Sequence, residues 1–123
     1  VARAVLEGIA HQAREVVGAM EADTGSPLQG LRVDGGVSLS NELLQYQADL
    51  CSVAVERPKD VETTAAGAAI AAGLGAGVYP SVEDVPSSSD DVERRFEPAI
   101  GAAARQAQVE RWSKAVQASL NWA

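Results

Sequence analysis

The first 20 residues of the chain repeat apolar side chains at the spacing of an α-helix. The apolar positions are Val5, Ile9, Ala13, Val16 and Met20. This period predicts a helix from Val1 to Met20 with these residues on one buried face. The run Thr24-Gly25-Ser26-Pro27 predicts its end, because glycine favours the C-cap and proline follows helices. No capping residue precedes the helix and Val1 is not methionine, so we expect the chain to be part of a longer protein.

Strand and helix patterns alternate after this helix. The short apolar runs Leu28 to Val33 and Val53 to Glu56 predict two buried strands. Between them, Ser38 or Ser40 is placed to cap a helix that runs to about Leu50. The apolar positions of that helix are Leu39, Leu43, Tyr46 or Gln47, and Leu50.

The segment Arg57-Pro58-Lys59-Asp60 predicts a turn, and an alanine- and glycine-rich helix is predicted from Ala65 to Ala76. Helices that alternate with strands are typical of the α/β class with parallel strands. Two strands are too few for a stable sheet. We therefore expect further strands from a region upstream of Val1 or from another chain.

The C-terminal third changes character after Val78. The polar run Pro86 to Asp91 predicts a surface loop, and Phe96 and Pro98 anchor an extended stretch. A final helix is predicted from about Ala102 to Asn121. Its apolar face, and a tryptophan that follows it, are expected to pack against the rest of the protein; these residues are Val109, Trp112, Val116, Leu120 and Trp122.

Composition limits the possible partners. A length of 123 residues suits one domain or part of one. The net charge of -7 argues against nucleic acid and anionic membranes as partners, because both would be repelled. The single cysteine, Cys51, cannot form an intrachain disulfide and is expected to be a small buried apolar residue in a reducing compartment. No apolar run reaches the length of about 18 residues that a membrane span requires, so a soluble, cytoplasmic protein is expected.

The candidate ligand site is the run Asp34-Gly35-Gly36, which follows a predicted strand and precedes a helix. Glycines there let the backbone approach a ligand closely, at the strand end where α/β sheets usually bind ligands. Two glycines also fit a plain tight turn, and neither a Walker A loop nor the three-glycine dinucleotide pattern occurs in the chain. Asp34 is a candidate general base by position alone. His11 has no second ligand at metal-binding spacing, so no metal site is predicted.

Six segments together carry a resemblance to a known family. They are Leu6 to Ala10, Val33 to Gly36, Asn41 to Asp49, Val55 to Pro58, Glu62 to Ala69, and Glu93 to Pro98. In this combination the chain resembles the C-terminal domain of the FGGY carbohydrate kinases, and within that family the members that act on glycerol. The resemblance covers nearly the whole chain.

The resemblance implies a fold and an activity. The fold is α/β: a partial actin-like ATPase (ribonuclease H-like) domain, its C-terminal half, followed by a C-terminal helix. Residues 1–78 would form the α/β core part, and residues 79–123 a loop and the final helix. The whole enzyme would be a phosphotransferase that moves the γ-phosphoryl group of ATP to an alcohol group of glycerol or a related polyol. It is expected to be a cytoplasmic homo-oligomer.

The same resemblance assigns the site residues. Gly35 and Gly36 would lie against the adenosine of ATP, with Gly36 closer through its backbone. The family usually carries asparagine four positions beyond the second glycine, where this chain has Ser40 followed by Asn41, so both are candidate adenosine-binding residues. Asp34 would then belong to the turn. The catalytic base, the polyol pocket, the Mg²⁺ ligands and the phosphate-binding loops would all lie upstream, so the isolated chain is predicted to be inactive.

The resemblance also matches Thr63, Thr64 and Gly67 to a helix that packs at the hinge between two domains, which is a structural role. Two alternatives stay open. One is a fragment of another FGGY sugar kinase, of the xylulose, ribulose or gluconate class. The other is a non-catalytic module that binds a nucleotide or a partner as this short chain.

Overall fold

The computed structural model describes residues 1–86 and 91–120. Residues 87–90 of the predicted surface loop lie outside this range, as do Asn121 and Trp122. The described elements are α1 (Ala2–Thr24), β1 (Leu31–Arg32), α2 (Asn41–Cys51), β2 (Val55–Pro58), α3 (Thr63–Gly75), β3 (Val92–Phe96) and α4 (Ala102–Leu120). Two short 3₁₀ helices, Gly36–Leu39 and Val82–Asp84, precede α2 and β3.

The predicted helix boundaries are largely confirmed. α1 ends at Gly25, which adopts a left-handed conformation at φ 66° and donates its N–H to the carbonyl of Glu21. Ser40 caps α2, because its hydroxyl oxygen accepts a hydrogen bond from the N–H of Leu43 at 3.2 Å. Of the predicted apolar positions of α2, only Leu39 falls outside that helix, in the first 3₁₀ helix, where it is exposed.

The predicted buried face of α1 is wrong. Four of the five residues are exposed, at 39% to 60% of their surface: Val5, Ile9, Val16 and Met20. α1 carries apolar side chains on two faces. The face that packs against α2 contains Leu6 and Ala10, and Val17 is also buried. Ala10 is fully buried, because its small side chain lets the two helices approach closely. The stripe predicted from periodicity stays exposed within the described residues.

Within the described residues the sheet has three strands in the order β1-β2-β3, so the expectation of two strands is wrong. β1 and β2 pair in parallel, as predicted, with Leu31 opposite Val55. β3 pairs antiparallel to β2, with Phe96 opposite Val55. The stretch around Phe96 was predicted only as extended, because its exposed, charge-rich sequence Val92–Phe96 lacks the apolar run of a buried strand. The third strand therefore comes from within this chain.

The predicted turn at Arg57-Pro58-Lys59-Asp60 is also corrected. β2 continues through Arg57 to Pro58, two residues beyond the predicted end of the strand. A proline is tolerated there because the β2–β3 register shifts between Arg57 and Pro58, at the end of the strand. Pairing continues past it, since the N–H of Lys59 donates to the carbonyl of Asp91 at 2.9 Å.

α2 is the centre of the hydrophobic core, between α1 on one side and the sheet on the other. The buried core consists of Ala10, Leu43, Leu44, Ala48, Leu50, Val55 and Phe96.

A buried carboxylate, Asp49, fixes the segment that leads to α4. It accepts hydrogen bonds from the N–H of Ala99 at 2.7 Å and from the amide of Gln45 at 3.1 Å. Its own carbonyl accepts one from Arg105 at 3.1 Å.

The packing role predicted for α4 is confirmed for part of its apolar face. Val109 packs on the edge of the core. The indole of Trp112 stacks on the ring of His11 with centroids 4.9 Å apart. Leu120, at the end of the helix, is instead 68% exposed.

α3 is unlike the other helices. Its sequence, Thr63–Gly75, is apolar around the whole circumference, yet none of its residues is buried among the described parts of the chain. A helix that is apolar all round is normally buried. α3 therefore presents an apolar surface that residues 1–86 and 91–120 do not bury.

Candidate functional site

The candidate site is the turn that joins β1 to α2. Gly35 has φ 80° and ψ 168°, a conformation that residues with a side chain rarely adopt. Its N–H donates to the carbonyl of Val61 at 2.9 Å, which ties the turn to the segment before α3. The glycine at this position is therefore required by the backbone itself.

Gly36 differs from Gly35 in this respect. Its φ is not positive, so an L-residue fits its backbone conformation. A Cβ added there would meet no atom within 4 Å among the described residues. Neither backbone strain nor packing within the described chain requires glycine at Gly36.

The inner side of the turn is held by buried polar groups. Ser38 is buried, and its hydroxyl donates to the carbonyl of Gly35 at 2.6 Å. The carbonyl of Ser38 accepts a hydrogen bond from the guanidinium of Arg57 at 2.8 Å. Arg57 is itself only 7% exposed, and its Nε donates to the carboxylate of Glu93 at 2.7 Å. Arg57 of β2, held by Glu93 of β3, thus fixes the inner side of the turn through the carbonyl of Ser38.

The remaining predicted site residues, Ser40 and Asn41, follow the turn. The hydroxyl of Ser40 is already engaged, as acceptor from Leu43 and as donor to the carboxylate of Glu42 at 3.3 Å. Asn41 is exposed and lines a cleft of about 610 Å³ between α1, α2 and β3, whose other lining residues include Tyr46. Gly35, Gly36 and Ser40 do not line that cleft. The structure thus brings the two glycines and Ser40 into one loop, with the side chain of Asn41 on a separate surface.

Asp34 lies at the start of the turn and is exposed. Its carboxylate accepts a hydrogen bond from the hydroxyl of Thr63, the first residue of α3. α3 has no side-chain cap from its own N-cap residue, Glu62. A carboxylate close to a helix N-terminus is stabilised by the helix dipole. Asp34 thus joins the turn to α3.

The isolated histidine and cysteine are packing residues. His11 is buried between α2 and α4, where its Nε2 lies 3.2 Å from the hydroxyl of Tyr46 and its ring stacks on Trp112. Burial, and next the charge of Arg14, lower the pKa of His11. Cys51 is half-buried, and burial raises the pKa of its thiol. In residues 1–86 and 91–120, no group of three or more His, Cys, Asp or Glu residues is arranged to hold a metal.

Sequence reasoning missed Arg57 as part of this site, because the residue was placed in a turn. The alternation Val55-Glu56-Arg57 was the available signal, since every second residue of a strand faces the same side.

Across the described ranges, no helix is both long and apolar enough to cross a bilayer.

Residues 1–76 match the C-terminal domain of the FGGY family of carbohydrate kinases. The chain belongs to this family. Among its sequence relatives, the glycerol kinase of Caldanaerobacter subterraneus subsp. tengcongensis is 46% identical over 123 residues. That of Chromobacterium violaceum is 47% identical over 123 residues. Both matches cover 100% of this chain and 24% of the relative, so the chain spans about a quarter of these enzymes.

Solved structures agree with this assignment. The glycerol kinase of Plasmodium falciparum, determined with ADP, aligns with a TM-score of 0.77 at 33% identity, over 98% of this chain and 24% of that one. The xylulose kinase of Rhodospirillum rubrum aligns with a TM-score of 0.66 at 26% identity, over 96% of this chain and 24% of that one. The α/β class and the partial actin-like ATPase fold predicted from the sequence are therefore confirmed.

Proposed function

We propose that this chain is the adenosine-binding C-terminal part of a kinase that transfers the γ-phosphoryl group of ATP to glycerol. Gly36 is the observation that carries the proposal. A glycine in a 3₁₀ helix is less favourable than most residues, and nothing in the described chain needs one there. A ligand that approaches the backbone closely supplies the missing reason.

The exposed apolar surfaces support a role inside a longer protein. α3 is apolar throughout and unburied, and α1 presents a second apolar stripe of Val5, Ile9, Val16 and Met20. Soluble monomers rarely leave large contiguous apolar patches exposed. The glycerol kinases that this chain matches are about four times as long, so the remainder of such an enzyme is available to cover both surfaces.

The residues that would hold adenosine are Gly35 and Gly36 through their backbone, with Ser40 and Asn41 after them. Ser40 has its hydroxyl engaged in capping α2, so we propose that it contributes through shape more than through a new hydrogen bond. The phosphates and Mg²⁺ would be held by regions outside these 123 residues. In-line phosphoryl transfer depends on those groups, so we propose that the chain alone is inactive.

The direct test is a hybrid enzyme. In it, residues 1–123 replace the matching C-terminal part of the Caldanaerobacter glycerol kinase, with the unmodified enzyme as control. We expect the hybrid to phosphorylate glycerol with ATP, and the 123-residue chain alone to show no turnover. A folded hybrid that does not phosphorylate glycerol would contradict the proposal.

The alternative of a xylulose kinase is tested by a second hybrid, built in the same way on the Rhodospirillum rubrum enzyme. Because identity to that enzyme is 26%, we expect poorer interdomain packing and much lower activity with xylulose than the glycerol hybrid has with glycerol.

The alternative of an independent nucleotide-binding module is tested by titrating the 123-residue chain with ATP. Micromolar affinity of the isolated chain would favour the module.

A further inference from the structure

We propose that Arg57 is a positioning residue that holds the Gly35-Gly36 turn in the geometry that ATP binding requires. The proposal rests on the function proposed above. Arg57 touches neither glycine directly. It acts through the carbonyl of Ser38, on the inner side of the turn.

The position of Arg57 in β2 explains its direction. Val55 and Arg57 share the buried face of the strand, whereas Glu56, between them, faces the other side and pairs with Arg32 and Arg95. The guanidinium of Arg57 therefore projects beneath the 3₁₀ helix that follows the glycines. It also lies 5.7 Å from the ring centre of Phe96, which packs beside it.

A buried guanidinium is costly unless its N–H groups are bonded. Arg57 meets this demand with two partners of fixed direction, the carbonyl of Ser38 at 2.8 Å and the carboxylate of Glu93 at 2.7 Å. The rigid, planar fork of arginine fixes both partners at once, whereas the single ammonium group of lysine cannot reproduce both directions. The 3₁₀ helix is thereby fixed relative to β2 and β3.

The remaining link runs from Ser38 to the glycines. The carbonyl of Gly35 accepts two hydrogen bonds from Ser38, one from the hydroxyl at 2.6 Å and one from the backbone N–H at 3.0 Å, so the orientation of the peptide between Gly35 and Gly36 depends on Ser38. Arg57, Ser38 and Gly35 form a continuous series of hydrogen bonds on the side of the turn away from solvent. The affinity of a ligand that contacts the backbone at Gly36 depends on the orientation of that peptide, because backbone contacts tolerate little displacement.

The test uses the glycerol kinase hybrid, with Arg57→Lys, Arg57→Met and Ser38→Ala. We expect the KM for ATP to rise about tenfold in the Arg57 variants, while the KM for glycerol stays within about twofold. Ser38→Ala removes the hydrogen bond from the hydroxyl to the carbonyl of Gly35 and leaves the one from the backbone N–H of Ser38, at 3.0 Å, in place. It is expected to raise the KM for ATP less than the Arg57 variants do, by about twofold to threefold. Arg95→Met is the matched control, because Arg95 is in ion pairs on the other face of the sheet. Its KM for ATP should equal that of the unmodified hybrid.

The outcomes separate this proposal from the proposed function. If Gly36→Val raises the KM for ATP but the folded Arg57 variants and Ser38→Ala do not, Arg57 is not a positioning residue and the adenosine assignment stands. If Gly36→Val also leaves the KM for ATP unchanged, the adenosine assignment itself fails. If both Arg57 variants fail to fold, Ser38→Ala decides: an unchanged KM for ATP overturns the proposal. A parallel rise in the KM values for ATP and glycerol would indicate general damage and would also overturn it.

Discussion

The carboxylate of Asp34 accepts a hydrogen bond from the hydroxyl of Thr63, which joins the end of β1 to the first residue of α3. The adjacent N–H of Gly35 donates to the carbonyl of Val61, two residues before Thr63. Among the described residues, these two hydrogen bonds connect the glycine turn to the start of α3. Since α3 is otherwise without buried residues in the described chain, its start is fixed mainly from the turn.

Replacement of Thr63 tests this connection. Thr63→Val keeps the shape of the side chain and removes its hydroxyl, so the Asp34 carboxylate loses its donor. We expect the free energy of unfolding of the glycerol kinase hybrid to fall by about 0.5–1.5 kcal/mol. Thr63→Ser keeps the donor and should behave like the unmodified protein in urea unfolding. Equal stability of the valine and serine variants would show that the hydrogen bond contributes nothing.

Two glycines of α3 provide a matched pair. A Cβ at Gly67 would meet nothing within 4 Å among the described residues, whereas a Cβ at Gly73 would lie 2.8 Å from the ring of Tyr79. Alanine in a helix is favoured over glycine by about 1 kcal/mol. We therefore expect Gly67→Ala to stabilise the isolated chain by up to that amount. Gly73→Ala should gain less, because the Tyr79 ring must move.

Gly67→Ala also tests the packing of α3 at the hinge between two domains, which the family resemblance implies. In the glycerol kinase hybrid, a helix surface that packs closely against another domain has no room for an added methyl group. We expect Gly67→Ala to lower the activity of the hybrid even though it stabilises the isolated chain. Full activity of that variant would argue against close packing of α3 at this position.

The burial of His11 predicts a dependence of stability on pH. Burial and the charge of Arg14 lower its pKa in the folded state, while Glu7 and Glu15 oppose this. On α2 and α4 the nearby titratable groups are Tyr46 and Arg111. The imidazole of His11 therefore binds a proton more readily in the unfolded chain than in the folded one. Neutral His11 contributes fully to the free energy of unfolding above about pH 6.5, its pKa in the unfolded chain, and this contribution is lost as pH falls through its lower pKa in the folded state.

The measurement compares the unmodified chain with His11→Gln, by urea unfolding at several pH values between 5 and 7.5. We expect the stability difference between the two proteins to shrink as pH falls through this range. Because both proteins share the same carboxylates, their titration cancels in the comparison. A difference that stays constant with pH would contradict the effect of burial on His11.

Most elements of the fold were predictable because their signals are local. The C-cap at Gly25 and the N-cap at Ser40 follow from capping chemistry. The alanine-rich composition predicts α3, with a start at Ala65, two residues after the observed start at Thr63. β3 was not predictable in this way. Its buried residue, Phe96, follows four exposed residues, and it pairs with Val55 of β2, which lies 41 positions earlier in the sequence.

The choice between two apolar faces of α1 was also beyond local reasoning. Periodicity identified a true apolar stripe, but the neighbour available in this chain, α2, packs on the other face around Ala10. The site shows the same division. The sequence predicts the glycine turn. The hydrogen bond from Arg57 to the carbonyl of Ser38 could not be predicted, because it depends on where β2 lies relative to the turn.

We propose that position 36 is a glycine because adenosine lies against it. The most direct measurement is the KM for ATP of the glycerol kinase hybrid with Gly36→Val, with the KM for glycerol measured in parallel and Gly18→Ala as control. Gly18 is likewise a glycine whose Cβ would meet nothing within 4 Å of the described residues. We predict that Gly36→Val raises the KM for ATP tenfold or more, by about 1.4 kcal/mol, or abolishes activity, while glycerol binding and the Gly18→Ala control stay nearly unchanged. An active Gly36→Val enzyme with an unchanged KM for ATP would show that adenosine does not lie against Gly36.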